Sequence, residues 1–338
     1  MDAARGVALL GMFAAHTLFG GGELIVDGRS AILFATVAGV SLGLITGGPH
    51  PLPPGARGDA RFTVLIRGSV LVLLGLAMTA FLQAPIAVIL DYYGFAFLLL
   101  IPALFLARAI LGMIAAVIAF AAPPLVALVT DAIPFESVVA PAQVFARWLT
   151  HGEYPVLIWS AFLIVGLILA RADLRDRLTA AIALVLGTLA AVLGYGSALV
   201  IPGVAAEAHS GTTAEVLGSG GVAVAIIGVL CLLDSASGLG ERIARVVRVV
   251  LAPVAAAGAM ALTLYVAHAI VLAIVRASAD NPERWQVPDW TLPTLIVGSL
   301  AFATLWRRLV GTGPLEAGLR ALTRLALRET GRPGTGSA

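Results

Sequence analysis

Hydrophobic runs long enough to cross a bilayer recur about ten times in this 338-residue chain, and no other feature constrains the fold as much. A hydrocarbon core about 30 Å thick takes roughly 20 apolar residues in a helix. In lipid the backbone must satisfy its own hydrogen bonds, which leaves helices or closed barrels as spanning structures. The runs fall at residues 5–25, 29–47, 62–82, 85–107, 109–130, 155–171, 178–202, 218–235, 253–275 and 290–309. Hydrophobic residues make up 60 % and charged residues 12 %, with a mean hydropathy of +1.01. Soluble domains carry about a quarter charged residues. The expected fold class is therefore all-α, a polytopic integral membrane bundle of about ten transmembrane helices in the plasma or inner membrane. The first run reads as a retained span, because its charged end is too weak for a cleavable signal peptide. The longest breaks are a Pro/Gly loop at 48–61 and the stretches 131–154, 203–217 and 276–289, none of which holds an inserted soluble domain.

Arginine placement sets the orientation. All 21 basic side chains are arginines. With the N-terminus in the cytoplasm, only Arg29, Arg147, Arg276 and Arg284 fall outside, against seventeen inside. This positive-inside bias implies an even number of spans with both termini in the cytoplasm. Residues 240–251 put Arg242, Arg245 and Arg248 on one helical face, and residues 314–328 do the same with Arg320, Arg324 and Arg328. Both stretches are expected to lie along the anionic cytoplasmic leaflet. The organisation is then a transmembrane domain over 1–312, a cytoplasmic amphipathic helix over 313–329 and a disordered Gly/Ser/Pro tail over 330–338.

Within that frame, polar groups gather at one depth. Arg5 and His16 are eleven helical steps apart, roughly 16 Å. Arg5 at the inner surface thus puts His16 at or beyond the bilayer centre. A histidine there marks function unless it serves as a hydrogen bond between helices. Asp91 falls about two turns below the outer surface, and His268 falls in the outer half of the ninth run. The outer loops add Glu23, Asp27, His151, Glu153, Glu207 and His209, so four of the five histidines lie towards the non-cytoplasmic side. Each also has a structural reading. Asp91, ahead of Tyr92-Tyr93, suits a capping or snorkelling carboxylate; His268 suits a polar residue lining the cavity; the loop residues suit a solvated surface.

Several chemistries are excluded or unsupported. No His-Glu-x-x-His spacing, P-loop, dinucleotide fingerprint or Gly-x-Ser-x-Gly elbow occurs, and no catalytic metal is expected. The single cysteine, Cys231, excludes an intrachain disulfide. A net charge of +2 gives no argument for nucleic acid. The glycines of Gly20-Gly21-Gly22 and Gly218-Ser219-Gly220-Gly221 read as packing or turn residues.

These residues carry a resemblance. Arg5-x10-His16 has the form of the Arg-x10-His signature of acyltransferase-3 membrane enzymes. The wider pattern resembles the heparan-α-glucosaminide N-acetyltransferase-like and YeiB/DUF418-like families, which open with Asp-x-x-Arg-Gly-x-Ala-Leu. Asp2, Arg5, Gly6, Ala8 and Leu9 match that opening. The run Leu33-Phe34-Ala35 through Gly39-Val40-Ser41 is similar to the end of their second helix. Glu153-Tyr154-Pro155 through Trp159, His209-Ser210-Gly211-Thr212 and Gly313-Pro314-Leu315-Glu316 add short matches across the chain.

The resemblance implies transfer of an acetyl or other acyl group from cytoplasmic acyl-CoA to an extracytoplasmic acceptor, a sugar amine or hydroxyl. Arg5 would hold a CoA phosphate. His16 would act as base or acyl carrier, and Asp91 or Glu153 would orient its ring. His268, His209, Glu153 and His151 would line the acceptor pocket. The animal enzymes place their important histidine further along the chain, which leaves direct transfer and an acyl-histidine intermediate both open. The competing class is a proton-coupled transporter of small molecules or lipids using His16, Asp91 and His268, against which no inverted repeat is visible. A third class is a structural or lipid-binding membrane protein. Small-residue-rich helices also permit a homodimer.

Overall fold

The computed structural model describes residues 1–18, 26–235, 239–279 and 286–329. Glu23, Arg284, the glycines at 20–22 and the tail at 330–338 lie outside the described residues. Among those described, the regular elements are all helical. In chain order they are α1 (Asp2–Ala15), α2 (Arg29–Ile45), α3 (Arg57–Ala77), α4 (Leu90–Leu100), α5 (Arg108–Ala132), α6 (Ala140–Ala146) and α7 (Val156–Ala170). There follow α8 (Arg177–Val200), α9 (Thr213–Asp234), α10 (Leu239–Gly258), α11 (Ala261–Ala277), α12 (Thr291–Leu309) and α13 (Pro314–Glu329). Every apolar run overlaps one of these helices.

Four stretches are long and apolar enough to cross a membrane unaided: Pro54–Leu82, Arg108–Ala132, Arg177–Val200 and Thr213–Asp234. Three bent helix pairs raise the number to seven if each pair is one span. The chain is a multi-pass membrane protein. Large apolar side chains on α5 and α8 point outward, among them Met113, Val117, Leu189 and Leu193, as lipid-facing surfaces require.

Three elements differ from the sequence expectation, each for a local reason. The fourth run starts its helix only at Leu90, because Gln83 takes a left-handed turn (φ 48°) and Pro85 follows. The stretch 131–154, expected as a break, contains α6 and a π-helical turn over Arg147–His151. Trp148 of that turn is buried, its ring stacked 4.9 Å from Phe95 of α4. The ninth run is split. Residues 253–258 close α10, and α11 leaves it at 73°. Glu316 of α13 makes this break possible: its carboxylate accepts from the N–H groups of Leu262 and Thr263, at 2.8 and 3.1 Å, and from the Thr263 hydroxyl at 2.6 Å. It thus satisfies α11's first free donors from another helix.

In lipid, helices gain little from excluding water, and small residues let their backbones approach closely. A Cβ on Gly39 of α2 would collide with the Leu163 carbonyl of α7, and one on Gly166 of α7 with the Thr36 carbonyl. A Cβ on Gly194 of α8 would collide with the backbone nitrogen of Gly218 on α9. Gly6 of α1 lies against the Val254 carbonyl of α10, and Gly258 against the Asp2 carbonyl. These contacts wedge α1 beside α10 and fix where its two ends lie.

Gly39→Val is expected to destabilise the fold by at least about 1–3 kcal/mol, the usual cost of overpacking. Gly112→Val on α5, where a Cβ meets only open space, is the control. Thermal unfolding in detergent reads the difference, and equal melting of both variants would refute the close-crossing account.

Candidate functional site

His16 caps the C-terminal end of α1. Its Nδ1 lies 3.1 Å from Nε2 of His268, and the two rings stack at 5.3 Å with 4° between their planes. His268, buried at 1 % exposure on α11, has its Nδ1 2.5 Å from the Tyr265 carbonyl. A carbonyl can only accept, so His268 Nδ1 carries a proton. With both rings neutral, His268 Nε2 is then an acceptor and His16 Nδ1 must be the donor. The chain of bonds leaves His16 Nε2 with a lone pair. Phe13 and Tyr265 pack against His268 at ring distances of 4.9 and 5.0 Å, which locks its orientation. Tyr265 is held in turn, its hydroxyl accepting from the Ile89 N–H at 3.1 Å.

His16 lines a small cavity of about 10 Å³ together with Asp27, Tyr154, His209 and Tyr265. That is room for about one water molecule. Across the cavity, His209 donates through both ring nitrogens: Nε2 to Asp27 Oδ1 at 3.3 Å and Nδ1 to the Glu153 carbonyl at 3.2 Å. Two acceptors on one ring require the imidazolium. Burial by itself would lower the His209 pKa. The hydrogen bond and charge of Asp27, the Glu153 carbonyl and the charge of Glu215 outweigh burial and raise it from 6.5 to about 9. Asp27 is held below its usual 3.8, first by the His209 hydrogen bond, then by the His209 charge and the Gly28 N–H, against burial.

The loop that presents His209 is built by Glu215. This carboxylate, 4 % exposed, accepts from the N–H groups of His209 and Gly211, each at 2.8 Å. Thr212 caps α9 by accepting from the Glu215 N–H at 3.1 Å. The Thr-x-x-Glu pattern is that of a capping box whose glutamate reaches one residue further back. His209 itself adopts a left-handed backbone (φ 59°).

The other sequence-predicted residues lie elsewhere. Asp91 is fully buried and accepts from Arg147 at 2.6 Å and Trp148 Nε1 at 2.9 Å, both through Oδ2, while Oδ1 has no partner among the described residues. Neither Asp91 nor Glu153 hydrogen-bonds to His16 among the described residues; the ring is positioned by His268 instead. His151, bonded to the Ile133 carbonyl at 2.8 Å and to Thr150 at 2.7 Å, lines a separate cavity of about 370 Å³ with Arg147 and Glu153. Arg5 sits at the opposite end of α1 from His16. It binds Asp2 at 3.1 Å, the Gly258 carbonyl at 3.2 Å and Ser41 at 3.0 Å, and lines a cleft of about 520 Å³. Sequence reading left Tyr265, Tyr154 and Glu215 out of the site. Two signals were available: Tyr265 shares a helical face with His268 at i−3, and Thr212-x-x-Glu215 is a cap motif. Among the described residues no cluster of three or more metal-ligating side chains occurs.

The profile of DUF418, a family of proteins of unknown function, matches residues 167–326. The match is just under half of the chain, from the end of α7 into α13. It includes His209, Glu215 and His268, and leaves Arg5 and His16 outside. No curated protein and no solved structure matches the chain.

The Asp27–His209 pair sets a pH window. Because His209 is raised from 6.5, its contribution to stability is complete below about 6.5 and is lost as pH rises through about 9. Because Asp27 is lowered from 3.8, its contribution is complete above 3.8 and is lost as pH falls through the depressed value. In histidine-labelled protein, the NMR titration of His209 is expected near 9 and should return towards 6.5 in Asp27→Asn. An unchanged titration would show that the pair does not form.

Proposed function

We propose that this protein is a membrane acyltransferase in which His16 takes the proton of an acceptor amine or hydroxyl during attack on an acyl-CoA thioester. The observation that carries the reading is the hydrogen-bond chain from His16 through His268 to the Tyr265 carbonyl. A lone buried imidazole in a bundle has two tautomers and free rotation, whereas this one has a single donor direction and one basic nitrogen. In direct transfer the acceptor's nitrogen or oxygen bonds to the acyl carbon, its proton passes to His16 Nε2, and the carbon–sulfur bond breaks. His16 then returns the proton to the departing thiolate. While His16 is protonated, its Nδ1–H still donates to His268, and Asp27 supplies negative charge to the same cavity.

The topology that suits this reading has ten spans with both termini in the cytoplasm, Arg5 at the donor side and the histidines towards the acceptor side. The cavity beside His16, about 10 Å³, is too small for an acyl group. Turnover therefore requires it to widen, and the His209 loop, which bonds Asp27 across it, is the segment we propose moves. Asp91 acts in this scheme by pinning the turn after α6 through Arg147 and Trp148, while His151, Glu153 and Arg147 line the larger cavity as acceptor contacts.

Purified protein given acetyl-CoA, or a longer acyl-CoA, with glucosamine tests the proposal by thiol release. His16→Ala is expected to lower turnover by about 10²–10⁴-fold, the range for loss of a general base. His268→Ala should lower it less and shift the pH profile of the rate, since it leaves His16 in place but frees its ring. Wild-type turnover in His16→Ala would sink the mechanism. Absence of any thiol release, with His16-dependent uptake driven by a pH gradient, would assign the histidine pair to transport.

A further inference from the structure

The cleft around Arg5 holds a concentration of positive charge that the fold does not use. Arg67 of α3, Arg307 of α12 and Arg320 of α13 line it with Arg5, beside Asp2, Glu316 and the loop residues Gly311 and Thr312. The carboxylates do not balance these cations. Two carboxylates face four guanidinium groups: Glu316 accepts from the start of α11, Asp2 pairs with Arg5, and a net positive charge is left over. Arg67 and Arg320 have no hydrogen bond or ion pair among the described residues. Arg307 reaches only the Ala255 carbonyl, at 3.4 Å.

The contrast with the buried Arg171 is direct. Arg171, 6 % exposed, donates to the Gly43, Gly48 and Leu104 carbonyls and to the Thr46 hydroxyl. Arg67 sits ten residues into an apolar helix, half-buried, with its Nε enclosed and unpartnered. A guanidinium at that depth is costly and is retained where it meets an opposite charge. Four guanidinium groups beside only two carboxylates leave a net repulsion that a further anion would relieve, and their planar forks match phosphate oxygens.

We infer that this cleft binds a ligand bearing two or more clustered phosphates, held by Arg67 at its floor and by Arg5, Arg307 and Arg320 at its rim. The site deepens the acyl-CoA reading by giving the donor's phosphates a place, and rests on that reading for the ligand's identity alone. It lies at the opposite end of α1 from the histidine pair, eleven helical steps or roughly 16 Å away. A bound ligand would reach the histidines only through an extended arm. The same chemistry would suit the headgroup of an anionic phospholipid.

Calorimetry on the whole protein in nanodiscs distinguishes the sources. The probes are coenzyme A, pantetheine (the same arm without the nucleotide phosphates) and inorganic diphosphate, each with phosphatidylcholine alone and with phosphatidylglycerol added. Coenzyme A and diphosphate are expected to bind and to compete, pantetheine is not, and affinity should fall as salt rises. Arg67→Gln and Arg320→Gln should each weaken binding about tenfold, the weight of a charge-assisted hydrogen bond. Arg324→Gln, on the same exposed helix but outside the cleft, should leave it unchanged. Arg320 lies on the surface, so its variant reports on the site even if Arg67→Gln fails to fold. Binding of phosphatidylglycerol but not coenzyme A, with the same arginine dependence, assigns the phosphates to lipid. Equal affinity in wild type, Arg67→Gln and Arg320→Gln overturns the site. His16-dependent thiol release with unaltered coenzyme A affinity in these variants would overturn the site and leave the transfer chemistry standing. Arginine-dependent binding without thiol release would do the reverse.

Discussion

Close backbone approach at glycine is the constraint on which the rest of this structure depends. Water does not drive helices together inside a bilayer, so contact must come from packing, and packing is tightest where no Cβ intervenes. The α1–α10 crossing at Gly6 and Gly258 does more than hold two helices. It sets the height and rotation of α1, and so decides that Arg5 opens into a cleft at one end while His16 meets His268 at the other. The α2–α7 and α8–α9 crossings supply the walls against which that arrangement is held.

Charge is handled in three ways in this apolar setting. Arg171 is absorbed by carbonyls at the end of α2, where the helix has free acceptors. Asp91 is answered by Arg147 and Trp148, and Glu215 by the N–H groups of the loop it shapes. Each of these groups is spent on structure. Other polar groups are arranged without being consumed in this way: the lone pair left on His16, and Arg67 and Arg320 of the cleft around Arg5. Only Arg5 of that cleft shares α1 with His16; Arg67, Arg307 and Arg320 come to it from α3, α12 and α13.

Much of this was legible beforehand, and the limits are instructive. The apolar runs located a helix in every case, because a run of twenty apolar residues has few other ways to satisfy its backbone. His16 and His268 were recognisable as costly residues at similar depth, yet depth alone does not say that two side chains touch. Asp91 and Glu153 had the right chemistry to orient an imidazole. The ring is instead oriented through His268 and the Tyr265 carbonyl, a backbone group that no residue-type argument would select. The turn after α6 escaped notice because its stability comes from Trp148 and Arg147 meeting α4, contacts distant in sequence.

The sequence by itself determined the class of molecule, the positions of its helices and the residue types that are expensive to keep in lipid. These follow from local composition and period, which act over one or two helical turns. Only the tertiary structure decided which of those residues meet. It joined His16 to His268, closed Asp27 and His209 over them, set Asp91 against Arg147, and gathered Arg67, Arg307 and Arg320 around Arg5. Those pairings depend on helix rotation and crossing height, and these are set by contacts between helices far apart in the chain.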